Sequence, residues 1–142
     1  MPNDFNASWT IGEQGSKIVR NFFEKRNCSV VDTSKGRLSK EVQLVYGDYF
    51  VELTKGKGYR AVEVKTEVKY TGNVFLETWS NKSRENKGWL WKMKSDILCY
   101  IFTSEKVVFF INFPALQTFM EANASNYREV PQAKYDQLND SH

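Results

Sequence analysis

Two β-rich segments, residues 48–53 and 59–66, flank the turn-forming run Thr54-Lys-Gly-Lys-Gly58. Glycines between two such segments predict an antiparallel hairpin. Along the second arm side chains alternate between faces, so Val62 and Val64 take one face while Ala61, Glu63 and Lys65 take the other. Opposite charges on a strand that otherwise reads as central need partners or a bound metal. A loop of residues 55–58 sets Thr54 opposite Tyr59, Phe50 opposite Glu63 and Asp48 opposite Lys65. Cross-strand partners share a face, so Asp48, Glu63 and Lys65 converge within roughly 5–7 Å. A loop one residue longer or shorter sends Asp48 to the other face.

Two carboxylates on rigid strands make a hard-oxygen site suited to Mg²⁺ or Mn²⁺. A lysine beside them can steer a water or stabilise charge on a phosphoryl group. The plainer reading is a surface Glu-Lys pair with an unrelated Asp nearby, and the residues alone leave both open. Other chemistries are narrowed by composition. The single histidine is His142, the last residue, which removes Ser-His-Asp and Cys-His triads. Cys28 and Cys99 are far apart and have no histidine partner, which argues against structural zinc.

The 142 residues suit one domain spanning 1–142, with residues 1–9 and 128–142 expected to be flexible. Ile11, Ile18, Val19, Phe22 and Phe23 share a face at helical spacing, predicting a helix over 11–26. Thr10 and Glu13 fit a capping box at its start. Residues 28–33 read as a short strand, and 34–47 are ambiguous because Val42, Leu44 and Tyr46 alternate among polar residues. A third strand is expected over 74–79, a loop over 80–88, a short helical turn near 95–99 and a buried strand over 107–112. Pro114 then starts a second helix through Leu116, Phe119 and Met120. The expected class is α/β (α+β), a mixed central β-sheet flanked by helices.

Charge is uneven. Residues 69–94 carry six basic and two acidic groups, whereas residues 95–142 carry three basic and six acidic groups. The basic stretch also holds Trp79, Trp89 and Trp91. Cations interleaved with aromatic rings suit a nucleic-acid surface, although such runs also occur as solvated faces.

Asp48, a hairpin and then Glu63-Val64-Lys65 resemble the D…(E/D)-x-K signature of the PD-(D/E)xK nuclease superfamily. An N-terminal helix carrying Glu13 precedes it, as in the resolvase-like branch. Thr71-Gly72-Asn73-Val74-Phe75-Leu76-Glu77 resembles a strand of small phage members, and Lys94-Ser95-Asp96 introduces a hydrophobic stretch as in those nucleases. The resemblance spans roughly residues 10–120. Gly47 stands where the nominal motif has Pro. The resemblance implies a restriction-endonuclease-like core. It makes Asp48 and Glu63 ligands of Mg²⁺ (or Mn²⁺), with the Val64 carbonyl completing the set and Lys65 assisting the attacking water. Glu13 becomes an accessory acid and Glu77 a further acid behind the site. Lys69, Lys82, Arg84 and Lys87 are candidates for phosphate contacts. Ser95 and Asp96 are expected to cap the following turn.

The function so implied is a Mg²⁺-dependent deoxyribonuclease, with junction or branched DNA as one candidate substrate. The alternatives are a non-catalytic nucleic-acid-binding module of the same fold, or an interaction domain using its Trp and Tyr residues. Cutting two strands needs two sites, which a homodimer supplies. The N-terminal sequence has no signal-peptide pattern and the longest apolar stretch is too short to span a bilayer, so a cytoplasmic protein (bacterial or phage-infected host) with no membrane partner is expected.

Overall fold

The computed structural model describes residues 4–130, with side chains from residue 11 onward. The elements run α1 (Asp4–Lys25), β1 (Ser29–Asp32), α2 (Ser39–Tyr46), β2 (Tyr49–Glu52), β3 (Arg60–Glu67), β4 (Trp79–Asn81), β5 (Asn86–Lys87), α3 (Trp89–Lys92), β6 (Ile97–Phe102), β7 (Val107–Asn112) and α4 (Phe113–Asn123). Five strands form a mixed sheet in the order β1-β2-β3-β6-β7, and β4 and β5 form a separate hairpin. All neighbours in the main sheet are antiparallel except β3 and β6, which run parallel. A parallel pair needs a crossover, here residues 68–96, which carry the hairpin and α3. Helices flank the sheet, so the expected mixed α+β class holds.

The alternation in β3 sorts two cores. Val62 and Val64 join Val19 and Phe23 of α1, with Tyr49, Val51, Cys99 and Ile101. Leu98, Tyr100 and Phe102 of β6 face the other way and pack with Leu90, Met93, Phe113 and Met120. Helix α1 reaches the first layer closely. A Cβ on Gly15 would lie 2.1 Å from the Thr66 hydroxyl, so only glycine fits without displacing that side chain.

Several expectations are corrected. Helix α1 begins by Asp4 rather than at residue 11, and Thr10 and Glu13 lie inside it, where no capping box can operate. The expected loose ends at 1–3 and 131–142, His142 included, lie outside the described residues. The ambiguous 34–47 segment contains α2, whose Leu44 and Tyr46 remain exposed and so left only a weak periodicity. Residues 74–78 form no strand; β4 starts at Trp79 and pairs only with β5, inside the expected loop. The expected helical turn at 95–99 is instead the start of β6, and the short helix falls earlier, at α3. Strand β7 forms as expected but is an edge, with Phe109 and Phe110 40% and 43% exposed. Pro114 does open a helix, capped by the Asn112 side chain accepting from the Ala115 N–H at 3.0 Å.

Among the described residues no helix is long and apolar enough to cross a membrane. Cys28 and Cys99 are both free.

Candidate functional site

Strands β2 and β3 pair with Tyr49 opposite Val62 and Phe50 opposite Ala61. The expected pairing set Phe50 opposite Glu63. The true register is displaced by two residues because the turn is centred one residue earlier, the Lys57 N–H donating to the Thr54 carbonyl at 3.0 Å. An offset of two keeps every side chain on its face. Asp48 therefore still meets the face of Glu63, one step nearer than expected.

Asp48 is fastened to both neighbours of Glu63 on β3. Its backbone N–H donates to the Val62 carbonyl at 2.8 Å, and its Oδ2 accepts from the Val64 N–H at 2.8 Å. On its other side Thr33, itself buried, holds the turn. The Thr33 hydroxyl lies 2.7 Å from the Gly47 carbonyl and 2.8 Å from the Asp48 carbonyl, sharing one proton between them.

Gly47 makes this approach possible. Its φ is +111°, and a Cβ there would sit 2.6 Å from the Val62 carbonyl oxygen. Proline, with φ near −65°, cannot adopt this conformation. The departure from the motif's nominal Pro thus has a physical cause in this chain.

Glu63 is 7% exposed, and its carboxyl group lies beside that of Asp48. Burial, then the adjacent Asp48 charge, push its pKa up to about 9. The Lys65 ammonium offsets only part of this. Its Nζ stands 3.9 Å from Glu63 Oε1, the outer limit of an ion pair, and the side chain is one-third exposed. Glu63 therefore keeps its proton near neutral pH, because its charge would be only partly offset by the protein's own cation.

Lys65 also lies under an indole, with Nζ 4.7 Å from the centre of the Trp89 ring. This cation–π contact limits where the ammonium can point. Trp89 is set in turn by Glu77, whose Oε1 accepts from the Trp89 N–H at 3.2 Å and whose carbonyl accepts from the Leu90 N–H at 3.1 Å. Glu77 thus serves the start of α3 and reaches the site through Trp89. Spacing within the basic stretch had not distinguished Trp89 from Trp79 or Trp91.

A further acid went unnoticed in the sequence. Glu67 lies on the same face as Glu63 and Lys65, is 2% exposed and accepts a hydrogen bond from the Tyr100 hydroxyl. Tyr100 also accepts from the Phe75 N–H at 3.1 Å, which ties the crossover to the sheet. The usable signal was period two itself, since Glu63, Lys65 and Glu67 are alternate residues of one strand.

Other candidates lie apart. Glu13 is exposed on α1, which packs against the opposite face of the sheet, so the structure does not bring it to Asp48 and Glu63. Ser95 and Asp96 cap no helix start; Ser95 ties to the end of α2 and Asp96 to β3. Ser95 Oγ donates to the Tyr46 carbonyl at 2.7 Å, and Asp96 Oδ2 accepts from the Ala61 N–H at 2.7 Å. Lys82, Arg84 and Lys87 lie on the β4–β5 hairpin, and Lys82 pairs with Glu129 at 3.2 Å. Lys69 is exposed just beyond β3. The Cys99 thiol, pushed up to about 12 chiefly by burial, is inert near neutral pH.

Among the described residues no group of three or more His, Cys, Asp or Glu side chains is arranged to hold a metal. The donor set is two carboxylates. It extends to the Val64 carbonyl, which strand geometry turns to the same edge as the Val64 N–H on Asp48. Such a set fits Mg²⁺, which commonly takes one or two carboxylates and keeps several waters. Comparison with protein-family models, with curated proteins and with solved structures returned no match.

Proposed function

We propose that the chain is a divalent-metal-dependent deoxyribonuclease, hydrolysing phosphodiester bonds at Asp48, Glu63 and Lys65. The observation that carries this reading is the buried Glu63 carboxyl set against the Asp48 carboxylate, beside a lysine held under Trp89. A structural ion pair needs one acid and one base. Two acids fastened together at a cost in desolvation suit a site built for a cation.

Asp48 and Glu63, with the Val64 carbonyl, would hold Mg²⁺ or Mn²⁺. Bound there, the ion supplies Lewis acidity toward a non-bridging phosphoryl oxygen and a more acidic water. Lys65, constrained by Trp89, orients that water and offsets charge gathering on the phosphoryl group. Water attacks phosphorus in line with the 3′ oxygen, and the P–O3′ bond breaks to leave a 5′ phosphate and a 3′ hydroxyl. Lys82, Arg84 and Lys87 on the hairpin, with Lys69, hold backbone phosphates. DNA is the partner, the working form is a homodimer and the compartment is the cytoplasm.

The deciding assay is cleavage of duplex, single-stranded and four-way-junction DNA with Mg²⁺, Mn²⁺ or EDTA. Asp48→Ala is expected to abolish metal-dependent cutting with DNA binding retained, and Lys65→Ala to leave little activity. Binding without cutting on any substrate would replace this reading by a non-catalytic nucleic-acid-binding module. Reversing the charge of Lys82 and Arg84 together is expected to weaken DNA binding and to reduce the slope of log K against log salt by about 2. An unchanged slope would place the DNA path away from the hairpin.

A further inference from the structure

We infer that β7 is a self-association edge, on which a second copy of this chain adds its own β7 antiparallel to make one continuous ten-stranded sheet. The two edges of the main sheet differ in kind. Strand β1 is four residues long and ends at Asp32, which pairs with Arg20 at 3.7 Å. Short length and charge are the usual means of blunting an edge. Strand β7 has neither. Its six residues, Val-Val-Phe-Phe-Ile-Asn, carry no charge and no proline, and among the described residues no strand pairs with its outer side.

The chemistry of this edge selects its occupant. A row of unpaired N–H and C=O groups calls for another strand. Its side chains bracket that row on both faces. Phe110 packs on Phe22 and Phe23 of α1, with ring centres 4.7 and 5.9 Å away, and Phe109 meets Phe102 on the other face at 6.2 Å. Both rings remain 40% or more exposed. A two-fold axis sets a strand against itself, so charge on it would meet like charge. An uncharged, aromatic, six-residue strand is self-complementary in that arrangement. An open groove beside Phe110, lined by Phe23, Leu53, Ile97 and Pro114 together with Arg60 and Asp96, gives a partner's side chains room.

The geometry has a consequence that rests on the nuclease reading. Antiparallel pairing places the two-fold axis perpendicular to the sheet, so both protomers present the same face to the same side. From β3 to its counterpart is five strand spacings, β3-β6-β7-β7-β6-β3, or roughly 25 Å at about 4.8 Å each. Both clusters of Asp48, Glu63 and Lys65 then open on one face, where a two-stranded or branched nucleic acid meets them together.

Light scattering and sedimentation of the full chain, from low to high micromolar and without metal or DNA, test the interface. The wild type is expected at twice its 16.6 kDa mass. Phe109→Lys and Phe110→Lys are expected to run at the single mass with unchanged circular dichroism. If Phe110→Lys fails to fold, because it also packs on α1, Phe109→Lys decides alone. A wild type that stays monomeric throughout overturns the inference. So does a dimer that survives Phe109→Lys with its β7 amides still exchanging freely. Because the readout involves no catalysis, a monomer leaves the metal reading standing, and an inactive dimer overturns only that reading.

Discussion

Replacing Glu63 by Gln is expected to stabilise the metal-free protein at alkaline pH while abolishing metal-dependent cleavage. The carboxyl titrates near 4.5 when unfolded and near 9 when folded. Below about pH 4.5 both states hold the proton and its contribution is fully present. As pH rises toward 9 the unfolded chain ionises while the folded one keeps its proton. Stability therefore falls, by at most about 1.4 kcal/mol per pH unit. Over the whole interval the loss is on the order of several kcal/mol, moderated by relaxation around the Asp48–Glu63 pair. Gln cannot titrate, so urea melts in EDTA at about pH 5, 7 and 9 should decline in the wild type and flatten in Glu63→Gln. With metal and DNA the same variant should lose roughly 10³-fold or more in rate, since Gln supplies no charge to a cation. A wild type equally stable across this range would show that Glu63 is ionised in the folded chain. A variant cutting at the wild-type rate would remove Glu63 from the chemistry.

Gly47→Ala should be strongly destabilising, because a left-handed φ and a backbone clash coincide at one residue. Left-handed φ costs a non-glycine residue about 1–3 kcal/mol. Here the new Cβ would also press to 2.6 Å from the Val62 carbonyl and 2.9 Å from Glu63 Cα. We expect a loss of about 3 kcal/mol or more and a drop in cleavage that persists where the variant is still folded, because Asp48 is carried away from Glu63. Gly36→Ala is the control. That residue has a similar φ, +102°, with nothing within 4 Å of the added carbon, so it should show the conformational cost alone. Equal losses at the two positions would mean that the Gly47–Val62 approach is not a tight one.

The part of the site carried by β3 was legible because period two is unambiguous over Arg60–Glu67. Valines and charges fall on opposite faces whatever the hairpin loop does. The partner strand was legible only in parity. The turn lies one residue earlier than expected, a register offset of two that moves Asp48 from Lys65 to Glu63 and leaves it on the correct face. Elements whose burial comes from tertiary contacts were the ones misread. Ile97–Phe102 is apolar throughout, and such a run carries no period to separate a buried strand from a helical turn. Helix α2 exposes Leu44 and Tyr46, so its pattern was faint. Glu13 showed the weakness of spacing arguments in the opposite sense. Thr10 and Glu13 match a capping box, but the helix continues past them to Asp4. Trp89 over Lys65 depends on a contact across 24 positions of sequence, which no local pattern encodes.

The separate hairpin has a consequence for how such a protein can diversify. Asp48 lies just before β2, and Glu63 and Lys65 lie on β3, whereas Trp79, Lys82, Arg84 and Lys87 belong to the β4–β5 hairpin. The rest of the crossover is tied to the core through Leu90 and Met93, whereas the hairpin reaches outward through the exposed Lys82–Glu129 pair. Doubling a flexible loop costs only about 0.6 kcal/mol in closure entropy. Lineages can therefore lengthen, shorten or exchange the hairpin at little expense to the sheet, changing what is gripped while inheriting intact the acids, Lys65 and Trp89.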